Sequence, residues 1–252
     1  DFEETIHALA ELGIRFAPAS GRPLYTLEAM FPTLQDELVF IGDNGGAIRW
    51  KGQNLFTSEM SPEGWRALNR LTREQGDIAV LCGLESAYVE RPFAVHDAVL
   101  RHFYTKIEYV DRLEDVAAPA DKLTIYLPQH NAQQAYDTVY ASQRSIYSVA
   151  VAGECWVDIM NPGVHKGAAL QTLGQLWGLP SESMMAFGDT YNDAEMLRTA
   201  KYGFLMENGS VPLRRNVPFL APSNREAGVM QILHRVLAQN GCVCPEDFVP
   251  AH

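Results

Sequence analysis

The chain gathers chemistry-bearing side chains most densely at Gly188-Asp189-Thr190-Tyr191-Asn192-Asp193. Two carboxylates lie four residues apart with an amide and a hydroxyl between them, a spacing that can bring them to one side of a helix start. Oxygen donors of this kind suit Mg²⁺. The preceding Met184-Met185-Ala186-Phe187 reads as a buried strand, Gly188 as a turn, and Ala194 to Leu197 as the opening of a helix. Asp189 therefore falls at the carboxyl end of a strand, where open α/β sheets place their sites. The same residues also suit an ordinary helix start, with Asp189 as cap and Asp193 as a solvated first-turn acid. The rest of the chain decides between the two.

Three other short stretches carry chemistry, each beside a predicted element. Phe2, Ile6, Leu9 and Leu12 share a helical face that Gly13 stops, and Ile14 to Ala19 then reads as a short strand. It runs into Ser20-Gly21-Arg22-Pro23, a turn with a hydroxyl and room for close backbone approach, able to cradle a phosphate or simply to start a helix. A second strand, Leu38 to Ile41, leads to Asn44-Gly45, and Ile48 to Trp50 with Asn54 to Thr57 forms a hairpin. Lys166 opens a helix that carries Leu170, Leu173, Leu176 and Trp177 and ends at Gly178.

Between these stretches the pattern changes. After about residue 59 the spacing predicts a helix over Pro62 to Glu74, strands at Asp77 to Leu81 and Ser86 to Glu90, and a helix over Phe93 to Tyr104. An acidic surface loop (Asp111 to Asp121), a strand (Lys122 to Leu127), a helix (Ala132 to Gln143) and two strands (Ser145 to Ala152, Cys155 to Ile159) follow. Strands joined by short turns imply an antiparallel sheet with helices on one face, a second domain inserted into the first. The division expected is an α/β core of residues 1–59 and 158–252, with a parallel sheet, and an α+β cap of 60–157. Beyond Asp193, Tyr202 to Met206 and Val217 to Ala221 read as strands and Ala227 to Leu237 as a final helix, while Gly241 to His252 has little periodicity and reads as mobile.

Composition narrows the function. The 252 residues are 47% hydrophobic and 20% charged, ordinary for a globular protein. A net charge of −11 without a Lys/Arg run lacks the footprint of a nucleic-acid or anionic-membrane binder, so local cations must meet any anionic substrate. No apolar run reaches the length of a membrane span. Cys82, Cys155, Cys242 and Cys244 lack the spacing of a disulfide framework or zinc site and read as reduced thiols of a cytoplasmic protein, with Cys242-Val243-Cys244 the one pair close enough to bind a metal or oxidise. No histidine pair has metal-ligand spacing. A Rossmann dinucleotide site is disfavoured, because no Gly-x-Gly-x-x-Gly follows a strand.

A buried phosphate needs donors and counter-charge. Ser20, the N–H groups near Gly21, Lys166, Asn192 and a Mg²⁺ on Asp189 form a set that supplies both. Ser-Gly-Arg-Pro after one strand, Asn-Gly after the next, an inserted domain, His-Lys-Gly opening a helix, and Gly-Asp-x-x-Asn-Asp after a strand follow one another in order. This order resembles motifs II, III and IV of the haloacid dehalogenase superfamily, and in particular its Cof-type members with a large cap between motifs II and III. The resemblance covers nearly all of the chain, and Cys82-Gly83-Leu84-Glu85-Ser86-Ala87-Tyr88-Val89 is similar to cap segments of its sugar-phosphate phosphatases. It implies a Rossmann-like core and phosphate binding at Ser20, Gly21 and Asn192. Lys166 would neutralise phosphate, Asp189 would ligate Mg²⁺ with Thr190 near the metal, and Asp193 would hold second-shell water or Lys166. Asn44 matches the Asn-Gly position near the cap hinge and the substrate.

The superfamily's first motif, Asp-x-Asp-Gly-Thr at the end of the first strand, supplies its nucleophile and acid/base, and the 252 residues contain no Asp-x-Asp pair. The expectation is a segment ahead of Asp1 that brings it, since a sheet without its central strand leaves paired edges open. The function expected is Mg²⁺-dependent hydrolysis of small phosphorylated metabolites, sugar phosphates first, through an aspartyl-phosphate, by a monomer or small homo-oligomer. The alternatives are a phosphometabolite-binding protein that has lost catalysis and, nearer, a phosphomutase. Glu85, Tyr88, His96, His102 and Tyr126 are cap residues able to select a sugar, though each suits a surface or packing role equally.

Overall fold

The computed structural model describes residues 1–251. Three sheets organise it. In the first, Met185–Gly188, Tyr202–Met206 and Phe219–Ala221 run parallel, and Val249–Pro250 adds an antiparallel edge. Phe187, Phe204 and Phe219 stack across neighbouring strands at centroid distances of 5.2 Å, and Phe248 meets Phe204 edge-on at 5.0 Å. That aromatic anchor overturns the mobile tail expected after Gly241. Phe248 is buried, Arg235 donates to the Asp247 carbonyl, and Val249 pairs with Leu220. His252 lies outside the described residues.

The second sheet is antiparallel: Val39–Gly42, Ala47–Trp50 and Gln53–Thr57. The strand expected over Ile14–Ala19 lies beside it, extended but irregular. Val39 and Ile41 donate to the carbonyls of Phe16 and Pro18, and Ser20 donates to Ile41. Pro18 has no N–H to return, which breaks the ladder and leaves one parallel bridge, Ala19 to Ile41. The alternation of strand backbone turns the polar groups of Ala17 and Ala19 toward the opposite edge. Met185–Gly188 likewise pairs on one side only. Phe16 shares an apolar cluster with Met185 and Phe187, so two open strand edges belong to one core.

The third sheet has six strands in the order Ile107–Val110, Ala87–Glu90, Ile78–Gly83, Ala120–Tyr126, Trp156–Met160 and Ser148–Val151. It differs from expectation in several respects. Ile107–Val110 was not foreseen as a strand, and it pairs parallel to Ala87–Glu90, so the sheet is mixed. Helices cover both faces. Trp65 and Leu68 of Pro62–Glu74 pack on Leu81, Leu123 and Ile159, while Leu100 and Tyr104 pack on Val80, Cys82 and Trp156. The helix expected over Phe93–Tyr104 is a 3₁₀ stretch, Arg91–His96, followed by α-helix at Asp97–Phe103. The one expected over Ala132–Gln143 stops at Asp137, ahead of the β-branched Thr138-Val139 that loses side-chain freedom in a helix. The supposed surface loop at Asp111–Asp121 is pinned by buried Leu113 and ends in the sheet, with Asp121 fully buried. Trp156–Met160 carries the sheet past the 157/158 boundary read from the sequence.

Candidate active site

The turn after Met185–Gly188 is built around Asp193. One oxygen, Oδ2, accepts from the backbone N–H of Asp189 (3.0 Å) and Thr190 (3.1 Å), and Thr190 and Asp193 form a capping box for the 3₁₀ turn Tyr191–Asp193, which runs into the short helix Ala194–Thr199. The other, Oδ1, accepts from Lys166 Nζ at 2.6 Å. Lys166 and Asp193 are 6% and 4% exposed, so this is a buried ion pair and not the solvated lysine and acid of an ordinary helix start. Burial alone would raise the Asp193 pKa. The Lys166 ammonium and the two turn N–H groups outweigh it, and the carboxyl is held below its usual range.

Close backbone packing makes the pair possible. The helix Lys166–Trp177 begins at His165, whose Nδ1 caps the Ala168 N–H at 3.0 Å. At Gly167 the helix approaches Glu195 so closely that a Cβ would stand 2.6 Å from the Glu195 carbonyl carbon. Gly188 meets Asp193 in the same way, with a Cβ there only 2.4 Å from the Asp193 Cβ. Gly188→Ala is expected to push Asp193 off Lys166, costing about 1–3 kcal/mol as an overpacked core site does. Thermal unfolding and turnover of the same variant should fall together, whereas a stable, fully active variant would show that the approach is not needed.

Asn192 carries this turn to a cleft of about 170 Å³ between the first two sheets and the third. Ser20, Gly21, Arg22, Asn44 and Asn192 line one side of it, and Phe103, Tyr104, Lys122, Thr124, Trp156 and Asp158 the other. Asn192 Nδ2 donates to Asn44 Oδ1 at 3.3 Å, and Ser20 Oγ accepts from the Arg22 N–H at 3.1 Å. Ser20, Gly21, Asn44 and Asn192 thus meet across more than 170 residues of chain, while Lys166 and Asp193 sit behind Asn192 and off the cleft wall.

The fit to a divalent cation rests on Asp189. Its half-buried carboxylate has no hydrogen-bond or ion-pair partner among the described residues. The Thr190 hydroxyl donates to Asn192 and Asp193. Both oxygens of Asp193 already accept from Lys166 and the turn, so its position is that of a support for Lys166, one of the two roles the resemblance implies, and a direct bond to a metal would have to displace one of these donors. Among the described residues no cluster of three or more His, Cys, Asp or Glu is placed to hold a metal. One open carboxylate beside a phosphate-sized cleft still suits Mg²⁺, which keeps several waters and completes its shell with substrate oxygens.

The far wall was missed in the sequence. Lys122 and Asp158 are buried on cap strands, where Lys122 Nζ donates to the Gly21 carbonyl at 2.6 Å and lies 2.9 Å from Asp43 and 3.5 Å from Asp158. Burial opposes the Lys122 charge, but Asp158 and Asp43 hold its pKa well above the usual range. Nearby Asp121, fully buried with no donor on either oxygen, is pushed well above the carboxylate range by burial and by the Asp43 charge. The signal lay in single polar residues interrupting apolar strands, at Lys122 and Thr124 in Asp-Lys-Leu-Thr-Ile-Tyr and Asp158 in Trp-Val-Asp-Ile-Met. None of the cap residues weighed from the sequence lines the cleft. Glu85 pairs with Arg49, Tyr88 lines a separate groove on the cap, and His96, His102 and Tyr126 pack against aromatic neighbours. The four cysteines are free thiols, and no helix among the described residues is long and apolar enough to cross a membrane.

A family model described as haloacid dehalogenase-like hydrolase matches residues 1–233. The chain is 32% identical over 228 residues to the 5-amino-6-(5-phospho-D-ribitylamino)uracil phosphatase YbjI of Escherichia coli, covering 89% of this chain and 84% of that one. It is 30% identical over 224 residues to the HMP-PP phosphatase of Cronobacter sakazakii, covering 85% and 79%. Among solved structures, SMU.1108c from Streptococcus mutans superposes with a TM-score of 0.85 at 29% identity, over 94% of this chain and 91% of that one. A HAD subclass IIB sugar phosphatase shares the fold, with a TM-score of 0.76 at 19% identity over 93% and 90%. With the match running through the Ser20, Asn44, Lys166 and Asp189 turns and the six-stranded sheet inserted between two of them, the chain belongs to the haloacid dehalogenase-like hydrolases.

Proposed function

We propose that the cleft hydrolyses small phosphorylated metabolites with the help of Mg²⁺. The observation that carries this reading is the buried Lys166–Asp193 pair in the turn that brings Asn192 to the cleft wall beside Ser20 and Gly21. A fixed ammonium, two amides and a turn with free donors form a preorganised receptor for a group that gains negative charge as phosphorus is attacked. Ser20, Gly21 and Asn192 hold the phosphate, Lys166 neutralises it, and the third sheet excludes bulk water from the cleft. Mg²⁺ bound at Asp189 would screen the phosphate and polarise its oxygens. The nucleophile in this proposal is an aspartate on an extended segment ahead of Asp1, lying between the open edges of Phe16–Ala19 and Met185–Gly188 and forming an aspartyl-phosphate that water then cleaves.

The cleft is smaller than the roughly 300–1,000 Å³ of drug-sized sites, which favours substrates with one sugar or one ring beyond the phosphate. Sugar phosphates remain the first class to try, and the name of the Escherichia coli relative, a phosphoribitylamino-uracil phosphatase, adds pyrimidine-bearing phosphates as the second. A second reading is a phosphometabolite-binding protein of the same fold without turnover. Incubation of the full-length protein with a panel of both classes separates the two. Phosphate release that a chelator abolishes and Mg²⁺ restores is the expected result. Tight binding of inorganic phosphate with no release from any panel member would replace the first reading with the second.

A further inference from the structure

Four side chains form one continuous chain from the cap to the phosphate end of the cleft. Thr124 Oγ1 donates to Asp158 Oδ1 at 2.7 Å, and Asn44 Nδ2 donates to Asp158 Oδ2 at 2.8 Å. With its amide nitrogen committed to the cap carboxylate, Asn44 turns its oxygen to Asn192 Nδ2 at 3.3 Å. Asp158 therefore decides which way Asn44 points, and Asn44 decides what Asn192 meets. Lys122, on the neighbouring cap strand, balances Asp158 and donates to the carbonyl of Gly21, the residue after Ser20.

The backbone beneath this chain gives an independent indication. Asp43 and Asn44 have φ of 50° and 55°, two successive non-glycine residues in the left-handed region. Such strain persists only where the surroundings over-determine it, and it concentrates at functional sites. Here Asp43 is held by Lys122 and by the Arg22 carbonyl accepting its N–H, and Asn44 by Asp158 and the Ser20 carbonyl. The strained turn is thus clamped between the cap and the Ser20 loop.

We propose that Lys122 and Asp158 are positioning residues, through which the seated cap orients Asn44, Asn192 and the Ser20-Gly21 turn for phosphate. The proposal rests on phosphate binding at that turn and deepens the reading given above. It gives the cap a role beyond shaping the cleft, because a misplaced cap carboxylate changes the donor pattern offered to phosphate.

Asp158→Asn in the full-length protein is the direct test, because it preserves size while removing the charge to which Asn44 donates and which Lys122 faces at 3.5 Å. Asn44 is then no longer held by a carboxylate and is free to turn its own NH₂ toward that of Asn192. Calorimetry with inorganic phosphate is expected to show affinity about tenfold weaker, the loss of one oriented hydrogen bond to a charged group. Combined with Asn192→Ala, the variant should cost little more than Asn192→Ala alone, since both act on one contact. Thr124→Val, nearly isosteric, should weaken phosphate in the same direction by a smaller factor and keeps the test open if Asp158→Asn fails to fold. Arg73→Ala, which removes an exposed cap ion pair with Glu90 and Glu114, should leave phosphate affinity unchanged. Wild-type phosphate affinity in folded Asp158→Asn and Thr124→Val, or losses fully additive with Asn192→Ala, would overturn the proposal. Because the readout is binding, a wild-type protein that binds phosphate without turnover would fail the hydrolytic reading alone.

Discussion

Lys166→Ala in the full-length protein is expected to lower kcat by about a hundred- to a thousandfold, the range seen when one preorganised donor to a developing charge is removed. It should also cost about 3–5 kcal/mol of stability, because the substitution leaves the Asp193 carboxylate buried without its cation. The two losses have separate signatures. In wild type, Asp193 titrates below its ordinary value, so its ion pair contributes stability at pH above the unfolded carboxylate pKa of about 4, and that contribution disappears as pH falls through the lowered folded value. Lys166→Ala should flatten this acid limb of the stability profile while depressing the plateau. Denaturant unfolding between neutral and acidic pH, run beside steady-state kinetics, checks both. A variant with normal stability and an unchanged acid limb would mean that Lys166 and Asp193 are not paired in solution.

Asp189→Asn should do the opposite in stability and as much in activity. Its carboxylate accepts no hydrogen bond and joins no ion pair among the described residues, so removing the charge should change stability by about 0.5 kcal/mol or less. Mg²⁺-dependent turnover is nonetheless expected to fall by about a hundredfold or more, because the open carboxylate is the group that would hold the metal. Mg²⁺ titration by calorimetry in the presence of inorganic phosphate should lose its binding heat in the variant. Turnover retained at wild-type Mg²⁺ concentrations would place the metal elsewhere. The pair of variants distinguishes a residue that carries both fold and chemistry, Lys166, from one that carries chemistry alone, Asp189.

The ordering of the elements was legible because local patterns carry it. The apolar run before Gly188, the amphipathic Pro62–Glu74 and the helix opening at Lys166 all follow from periodicity and capping, and they lie where the spacing placed them. Ile107–Val110 escaped notice because an edge strand of four residues, with none of them buried, leaves little alternation to detect. The ordered tail after Gly241 escaped it because Phe248 acquires its meaning only against Phe204 and Phe219.

The site divides along the same line. Ser20, Asn44, Lys166, Asp189 and Asn192 could be named from the sequence because each sits in a short turn beside a strand end or helix start, and the order of those turns resembles the superfamily's motifs. That Asp193 is spent on Lys166 and the turn while Asp189 stays open was undecidable from spacing, since both are acids four residues apart and only burial and hydrogen-bond partners separate them. Lys122 and Asp158 lay further from reach, as charged residues in strands whose partners, Gly21, Asp43 and Asn44, are 79 to 114 positions away in the chain. The sequence by itself therefore determined which turns form the candidate site and in what order they come, because turn and capping preferences act over a few residues. Only the tertiary structure decided which carboxylate is free, which cation is buried and what the cap contributes, because charge compensation acts through space between residues that the chain keeps apart.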